Sequence, residues 1–158
     1  MERSFATVSM MILGEERRLS RSEDKKMIQF SSEQAKRFEQ WAENDFLSRI
    51  KSFLQKEHHE LVSHLSDEDL SRVIRYSIQI GRDLQFSWET ALVAICVFVL
   101  EIGPGFENHP AFRRALDEGR SKFPNDENQR IFWIYDHTTD DDWEEAEEMC
   151  ARASEDDS

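Results

Sequence analysis

The sequence predicts an all-α, single-domain bundle of about six helices around a buried central helix at about residues 88–102. Three observations support this prediction. Apolar residues recur at intervals of three and four along most of the chain after residue 31, which is the period of amphipathic helices. The 158 residues include only five Gly and three Pro, which is few for an all-β protein rich in turns. The stretch Ala91–Leu100 is apolar throughout, as is typical of a helix enclosed by its neighbours.

The first helix is predicted at about residues 33–56. Ser31 or Ser32 can cap its start, and Ser31 can form a capping box with Gln34, in which each side chain accepts a backbone N–H at the other residue. The polar stretch that follows this helix is compatible with either a short helix or a loop. The apolar face of the helix is predicted to consist of Phe38, Trp41, Ala42, Phe46, Ile50, Phe53 and Leu54.

The next two helices include the central one. Ser66 can cap a second helix that ends at about Asp83, with three acidic residues in its first turn, where the helix dipole favours negative charge. The central helix is predicted to begin behind a Ser87 cap. Gly103-Pro104-Gly105 ends it, because Pro cannot continue a helix and Gly suits the left-handed closing position.

Three shorter helices complete the predicted bundle. Pro110 favours the first position of a helix, which Asn108 can cap. A further helix is predicted at about residues 127–136, and the last one runs from a Thr139 cap to about Arg152.

The predicted domain spans residues 27–153. Residues 1–26 show little periodicity and mix six basic with five acidic residues, so we predict a mobile leader, with Met27 as an alternative start of the native protein. Residues 154–158 are predicted to be a disordered acidic tail. Cys96 and Cys150 occur in no disulfide or zinc spacing, which suits a reducing cytoplasm, and we predict a cytoplasmic protein.

The strongest functional signal is the distribution of charge. Eleven of the 33 acidic residues lie in the last 23 positions with one basic residue, which gives that segment −10 of the total formal charge of −13. Such a pole repels nucleic acid and anionic membranes and attracts a basic protein surface. The competing interpretation is a solvated segment that only keeps the protein soluble. The candidate partner-binding residues are Asp140, Asp141, Asp142, Trp143, Glu144, Glu145, Glu147 and Glu148.

The sequence shows no catalytic, metal-binding or cofactor-binding pattern, and none of these is predicted. His59, Glu60 and His64 are similar to a zinc-protease helix, but the two histidines are five residues apart instead of four and so face different directions. His58, His59 and His64 are therefore predicted at the surface. Asp140–Asp142 lacks the Gly and the terminal Glu of a calcium-binding loop.

One stretch of the chain is similar to a known group of proteins. A core helix followed by Ile102-Gly103-Pro104-Gly105-Phe106 and Pro110, with Met27-Ile28-Gln29-Phe30 upstream, resembles small helical proteins of proteobacteria. Those proteins are encoded beside type VI secretion spike, PAAR-tip and toxic effector genes. The resemblance covers about residues 27–116 and carries no catalytic residue. It implies a partner class, which is a secreted antibacterial effector or the machinery that loads it.

We therefore expect a non-enzymatic protein that binds a basic protein partner, and neither nucleic acid nor membrane. The favoured function is an immunity-type inhibitor of a co-encoded type VI secretion toxin, acting through its acidic surface. An adaptor or chaperone that holds an effector for loading is the alternative among binding proteins. A hydrolase with an unrecognised site is the alternative from another class, and the sequence does not indicate an oligomeric state.

Overall fold

Helices make up almost all of residues 31–157, the part of the chain that the computed structural model describes. The predicted all-α, single-domain class is confirmed, and the predicted leader, residues 1–26, lies outside the described residues. Within them there are seven α-helices and one 3-10 helix. In chain order these are α1 (Ser32–Glu57), α2 (His59–Val62), α3 (Asp67–Asp83), α4 (Glu89–Glu101), the 3-10 helix (Phe106–Asn108), α5 (Pro110–Lys122), α6 (Glu127–Asp136) and α7 (Asp140–Asp156).

The central helix of the bundle is α4, as predicted. Every residue from Ala91 to Val99 is buried, because other helices cover α4 on all sides. The closest neighbour is α3, which packs along it at Gly81. A Cβ at that position would lie 2.5 Å from Leu92 Cδ2, so a larger residue there would require the Leu92 side chain to move. By contrast, Trp41 and Ala42 of the predicted apolar face of α1 are exposed, and α1 begins to contribute to the core at Leu47.

An aromatic cluster connects α4 to the C-terminal half of the chain. The ring of Phe98 on α4 lies 5.4 Å from Phe106, 6.3 Å from Phe112, 5.1 Å from Tyr135 and 5.5 Å from Trp143, measured between centroids. These partners belong to the 3-10 helix, α5, α6 and α7 in turn. One side chain therefore ties four later elements to the central helix, and aromatic pairs at such separations stabilise a core beyond their buried area.

The predicted Ser87 cap of α4 is wrong, because a distant carboxylate takes its place. The residue that precedes α4 is Trp88, and no side chain of its own loop caps the helix. Instead the carboxylate of Glu127, at the start of α6, accepts the backbone N–H of Ser87 at 2.8 Å, that of Trp88 at 2.6 Å and the Ser87 hydroxyl at 2.8 Å. Glu127 therefore satisfies part-buried donors of the loop that leads into α4.

Arg130 fixes the same loop from the next turn of α6. Its guanidinium donates hydrogen bonds to the carbonyls of Leu84 at 2.9 Å and Gln85 at 3.0 Å and lies 4.1 Å from the centroid of the Phe86 ring. Gln85 has a φ of 64°, a left-handed conformation that is unfavourable for a residue with a side chain. The hydrogen bonds from Arg130 hold this strained turn between α3 and α4.

Three further predictions need correction. The N-cap of α5 is His109 and not Asn108, which lies in the 3-10 helix. Helix α7 continues beyond Arg152 to Asp156, so the first residues of the predicted disordered tail, 154–156, form its last turn. His58, which we expected at the surface with His59, is fully buried, because the chain turns there between α1 and α2 and directs the imidazole inward.

Candidate interaction surface

The outer face of α7 carries most of the predicted binding residues. The buried residues of this helix, Trp143, Ala146 and Cys150, are three and four positions apart and form its inner face. Successive residues of a helix are about 100° apart, so the remaining positions form the opposite face. The structure brings six of the seven predicted carboxylates together there in exposed positions: Asp140, Asp141, Glu144, Glu145, Glu147 and Glu148.

Asp142 is the seventh, and its carboxylate belongs to the start of the helix. One oxygen accepts the Thr139 backbone N–H at 2.7 Å and the Thr139 hydroxyl at 2.9 Å, and the Thr139 oxygen accepts the Asp142 N–H at 3.2 Å. The bond from the Thr139 backbone is the main cause that lowers the pKa of Asp142, and the Thr139 hydroxyl, His109 and Arg114 act in the same direction. Asp142 therefore secures the predicted Thr139 cap and is only partly accessible to a partner.

Five of the six exposed carboxylates fall into two groups. Glu145 lies 3.6 Å from the Nε2 atom of His109, and Glu148 lies 3.5 Å from an Arg152 nitrogen in a pair whose two side chains are each 74% exposed. An exposed pair such as that of Glu148 and Arg152 contributes at most about 1 kcal/mol and is easily exchanged for other partners. Asp141, Glu144 and Glu147 form no ion pair with any other residue of the described chain. These three side chains, spaced three residues apart, are the part of the surface most available to a cationic partner.

Trp143, one of the predicted partner-binding residues, does not lie on this surface. It is 8% exposed, stacks on Tyr135 at 5.7 Å between ring centroids, and donates its indole N–H to the Thr138 hydroxyl at 2.9 Å. Thr138 in turn donates to the Ile134 carbonyl at 2.7 Å. Trp143 therefore holds α7 on the domain and belongs to the core instead of the binding face.

A second surface feature is an open cleft between α1, α3 and the start of α4. Its volume is about 470 Å³, and its lining combines apolar and charged side chains. Arg49 in the cleft forms ion pairs with Asp45 and with Glu89, so much of its charge is compensated within the fold. The lining residues are Phe46, Arg49, Arg82, Ser87, Glu89 and Leu92.

Three further observations on residues 31–157 concern metal binding, thiol reactivity and membrane spans. That part of the chain has no group of three or more His, Cys, Asp or Glu side chains able to hold a metal ion. Burial raises the pKa of the Cys96 thiol to about 12, so this cysteine remains protonated and unreactive. No helix in residues 31–157 combines the length and the apolar character needed to span a bilayer.

Three residues with important contacts escaped the sequence analysis. Glu127 and Arg130 fit an ordinary polar helix face, and their partners lie about 40 positions earlier in the chain. His58 follows the polar end of α1 and precedes two other polar residues, so its local sequence indicates exposure. Only the arrangement of the helices shows that these three side chains are buried.

Comparisons with known proteins do not extend this picture. No protein-family model matches the chain, and neither a curated protein nor a solved structure is significantly similar to it.

Proposed function

We propose that this protein is a non-enzymatic binding protein whose acidic α7 face, the exposed acidic residues of α7, docks on a basic protein surface. The favoured role is that of an immunity-type inhibitor of a secreted toxin. One observation carries the proposal: Asp141, Glu144 and Glu147 point outward from a helix that is fixed to the core and form no ion pair within residues 31–157. Carboxylates in this state can attract and align a positively charged partner.

The energetics of α7 favour this interpretation over a purely solubilising role. Acidic residues in the first turn are stabilised by the helix dipole, but Glu144, Glu147 and Glu148 lie beyond that turn. Like charges three or four positions apart destabilise a helix by about 0.2–0.5 kcal/mol per pair. Glu155 and Asp156 also lie at the negative end of the dipole, where acidic side chains are unfavourable. A basic partner would relieve this repulsion, so the carboxylates of α7 are in a more favourable electrostatic environment in the complex than in the free protein.

The firm attachment of α7 to the core also supports docking. Trp143, Ala146 and Cys150 pack into the core, and the reciprocal bonds of Thr139 and Asp142 fix the first turn. A surface that is already ordered loses little conformational entropy on binding. The resemblance to proteins encoded beside type VI secretion genes supports a toxic effector as the partner class. An inhibitor and a loading chaperone can share this docking mode and differ in what they do to the partner.

The proposal is tested first by affinity capture. Wild-type protein, the triple variant Asp141→Asn/Glu144→Gln/Glu147→Gln and a matched control, Glu39→Gln/Glu43→Gln/Glu60→Gln, are immobilised and exposed to a lysate of the source cells. Each variant removes three negative charges from exposed positions, and the control positions lie on α1 and α2. We expect a basic protein to be retained by the wild type and the control and to be lost from the α7 variant, as identified by mass spectrometry.

The captured protein then decides the role. It is expressed in a host cell with and without this protein, and growth and partner abundance are measured. Growth arrest that co-expression relieves supports the inhibitor, whereas a harmless partner that becomes more abundant supports the chaperone. Equal capture by all three forms, or capture of no basic protein, contradicts docking through the acidic α7 face.

A further inference from the structure

His58 has an unusual environment at the junction of α1 and α2. Its side chain is fully buried, and neither ring nitrogen has a hydrogen-bond partner within the described residues. The nearest ring is that of Phe53, which meets the imidazole edge at 5.7 Å between centroids. A buried polar group without a partner is unfavourable, because its hydrogen bonds to water are lost without replacement. The fold therefore tolerates His58 in its neutral form and strongly disfavours the imidazolium, whose charge would be buried without a direct partner.

The chain is interrupted at this residue. His58 has φ −130° and ψ 42°, which breaks the helix between Glu57 and His59. Helix α2 is only four residues long, and a helix of this length is not stable by itself. It contacts α1 and α4, and Val62 is its buried residue. The position of α2 thus depends on the inward placement of His58 and Val62.

The charged groups around His58 act in opposition to burial. Burial is the main cause that lowers the pKa of His58 below its usual value of 6.5, while the negative charges of Glu60 on α2 and Glu57 on α1 raise it. The part of α4 from Ala91 to Leu100 contains no charged residue. Lys51 on α1 pairs with Asp67 at the start of α3 at 2.9 Å, so these two charges compensate each other.

We propose that the junction at His58 is an acid-operated hinge, in which protonation of the imidazole expels it from the core and releases α2. In the released form His58 is solvated beside Glu57 and Glu60, which favour its positive charge. Val62 and the end of α1 near Leu54 become exposed to solvent in that form. Mild acid would thereby expose an apolar surface without unfolding the rest of the domain, because α3 and α5 to α7 pack against α4 and against one another.

The direction of the pH effect follows from the two forms. The released form takes up a proton near the usual pKa of histidine, about 6.5, and the closed form takes it up only at lower pH. The closed form is therefore fully favoured above pH 6.5 and loses stability as the pH falls below that value. At pH 5.5 the released fraction is expected to rise up to about tenfold, if the closed form is still neutral there.

Hydrogen–deuterium exchange of the full chain, read by mass spectrometry, tests the hinge. Peptides that cover residues 53–65 are compared at pH 7.5 and 5.5 after correction for the pH dependence of the chemical exchange rate. We expect protection in this segment to fall up to about tenfold in the wild type, while α4 and α6 remain protected. His58→Phe, which preserves a buried ring and cannot be protonated, should show no change with pH.

His59→Phe is the matched control, because it places the same substitution at an exposed neighbour and should retain the wild-type pH response. If His58→Phe does not fold, His58→Leu provides a second buried side chain that does not titrate. An NMR titration supplies an independent measurement of the His58 ring. Loss of protection in both His58 variants equal to that of the wild type, or a His58 pKa at or above 6.5, would overturn the proposal.

Discussion

Val97→Asp is expected to unfold the protein. Val97 is 1% exposed in the middle of α4 and belongs to the cluster of buried apolar residues that forms the core. A carboxylate at this position would be buried without a partner, and the cost of several kcal/mol is comparable with the whole stability of a typical domain, about 5–15 kcal/mol. Circular dichroism and thermal unfolding measure the result: lost helical signal and no cooperative transition at neutral pH.

Val97→Ala separates the effect of charge from that of lost volume. It removes two methyl groups, which should cost about 1–3 kcal/mol, and the protein should remain folded with a lower melting temperature. If Val97→Asp is soluble and unfolds cooperatively like Val97→Ala, then α4 is not the buried centre of the bundle.

Glu127→Ala is expected to have the second largest effect. The change leaves the N–H groups of Ser87 and Trp88 and the Ser87 hydroxyl without their acceptor. It also removes the negative charge that favours the protonated form of Arg130, whose pKa is lowered chiefly by burial. Losing part-buried hydrogen bonds to a charged group costs about 1.5–3 kcal/mol, so the midpoint of urea unfolding should fall markedly.

Glu43→Ala is the control for this experiment, because Glu43 is an exposed acidic residue on α1 and its removal should change the free energy of unfolding by less than about 0.5 kcal/mol. Glu127→Gln should be intermediate, since it keeps an acceptor oxygen but loses the charge. A Glu127→Ala variant that is as stable as the Glu43→Ala control would show that α6 does not hold the loop before α4.

A contact of this fold can be predicted from the sequence when its two residues are close together in the chain, and not when they are far apart. Ser31, Ser66 and Thr139 cap their helices as expected, because each bonds a backbone group three residues away. The cap of α4 comes from Glu127, 40 positions from Ser87, and no local pattern reveals it. His58 was misplaced for the same reason, since its burial follows from how α1, α2 and α4 pack.

The residues of the candidate surface could likewise be predicted only in part from the sequence. The acidic residues are recognisable because charge density is a property of the sequence itself, and the burial of Trp143, Ala146 and Cys150 leaves most of them on the outer face of α7. Trp143 was misassigned, although its spacing to Ala146 and Cys150 is that of an inner face. Asp142 could be recognised only in part, because its position three residues after Thr139 fits a cap as well as a free carboxylate.

The central claim is that the acidic α7 face attracts and docks a basic partner. Stopped-flow association of the captured partner at low and high salt tests it most directly, because exposed charges act over about 8 Å at physiological salt and mainly change the association rate. We expect Asp141→Asn/Glu144→Gln/Glu147→Gln to associate on the order of tenfold more slowly than the wild type at low salt and with a weaker salt dependence. The Glu39→Gln/Glu43→Gln/Glu60→Gln control should match the wild type. If the α7 variant associates as fast as the wild type at low salt, the acidic face does not dock the partner.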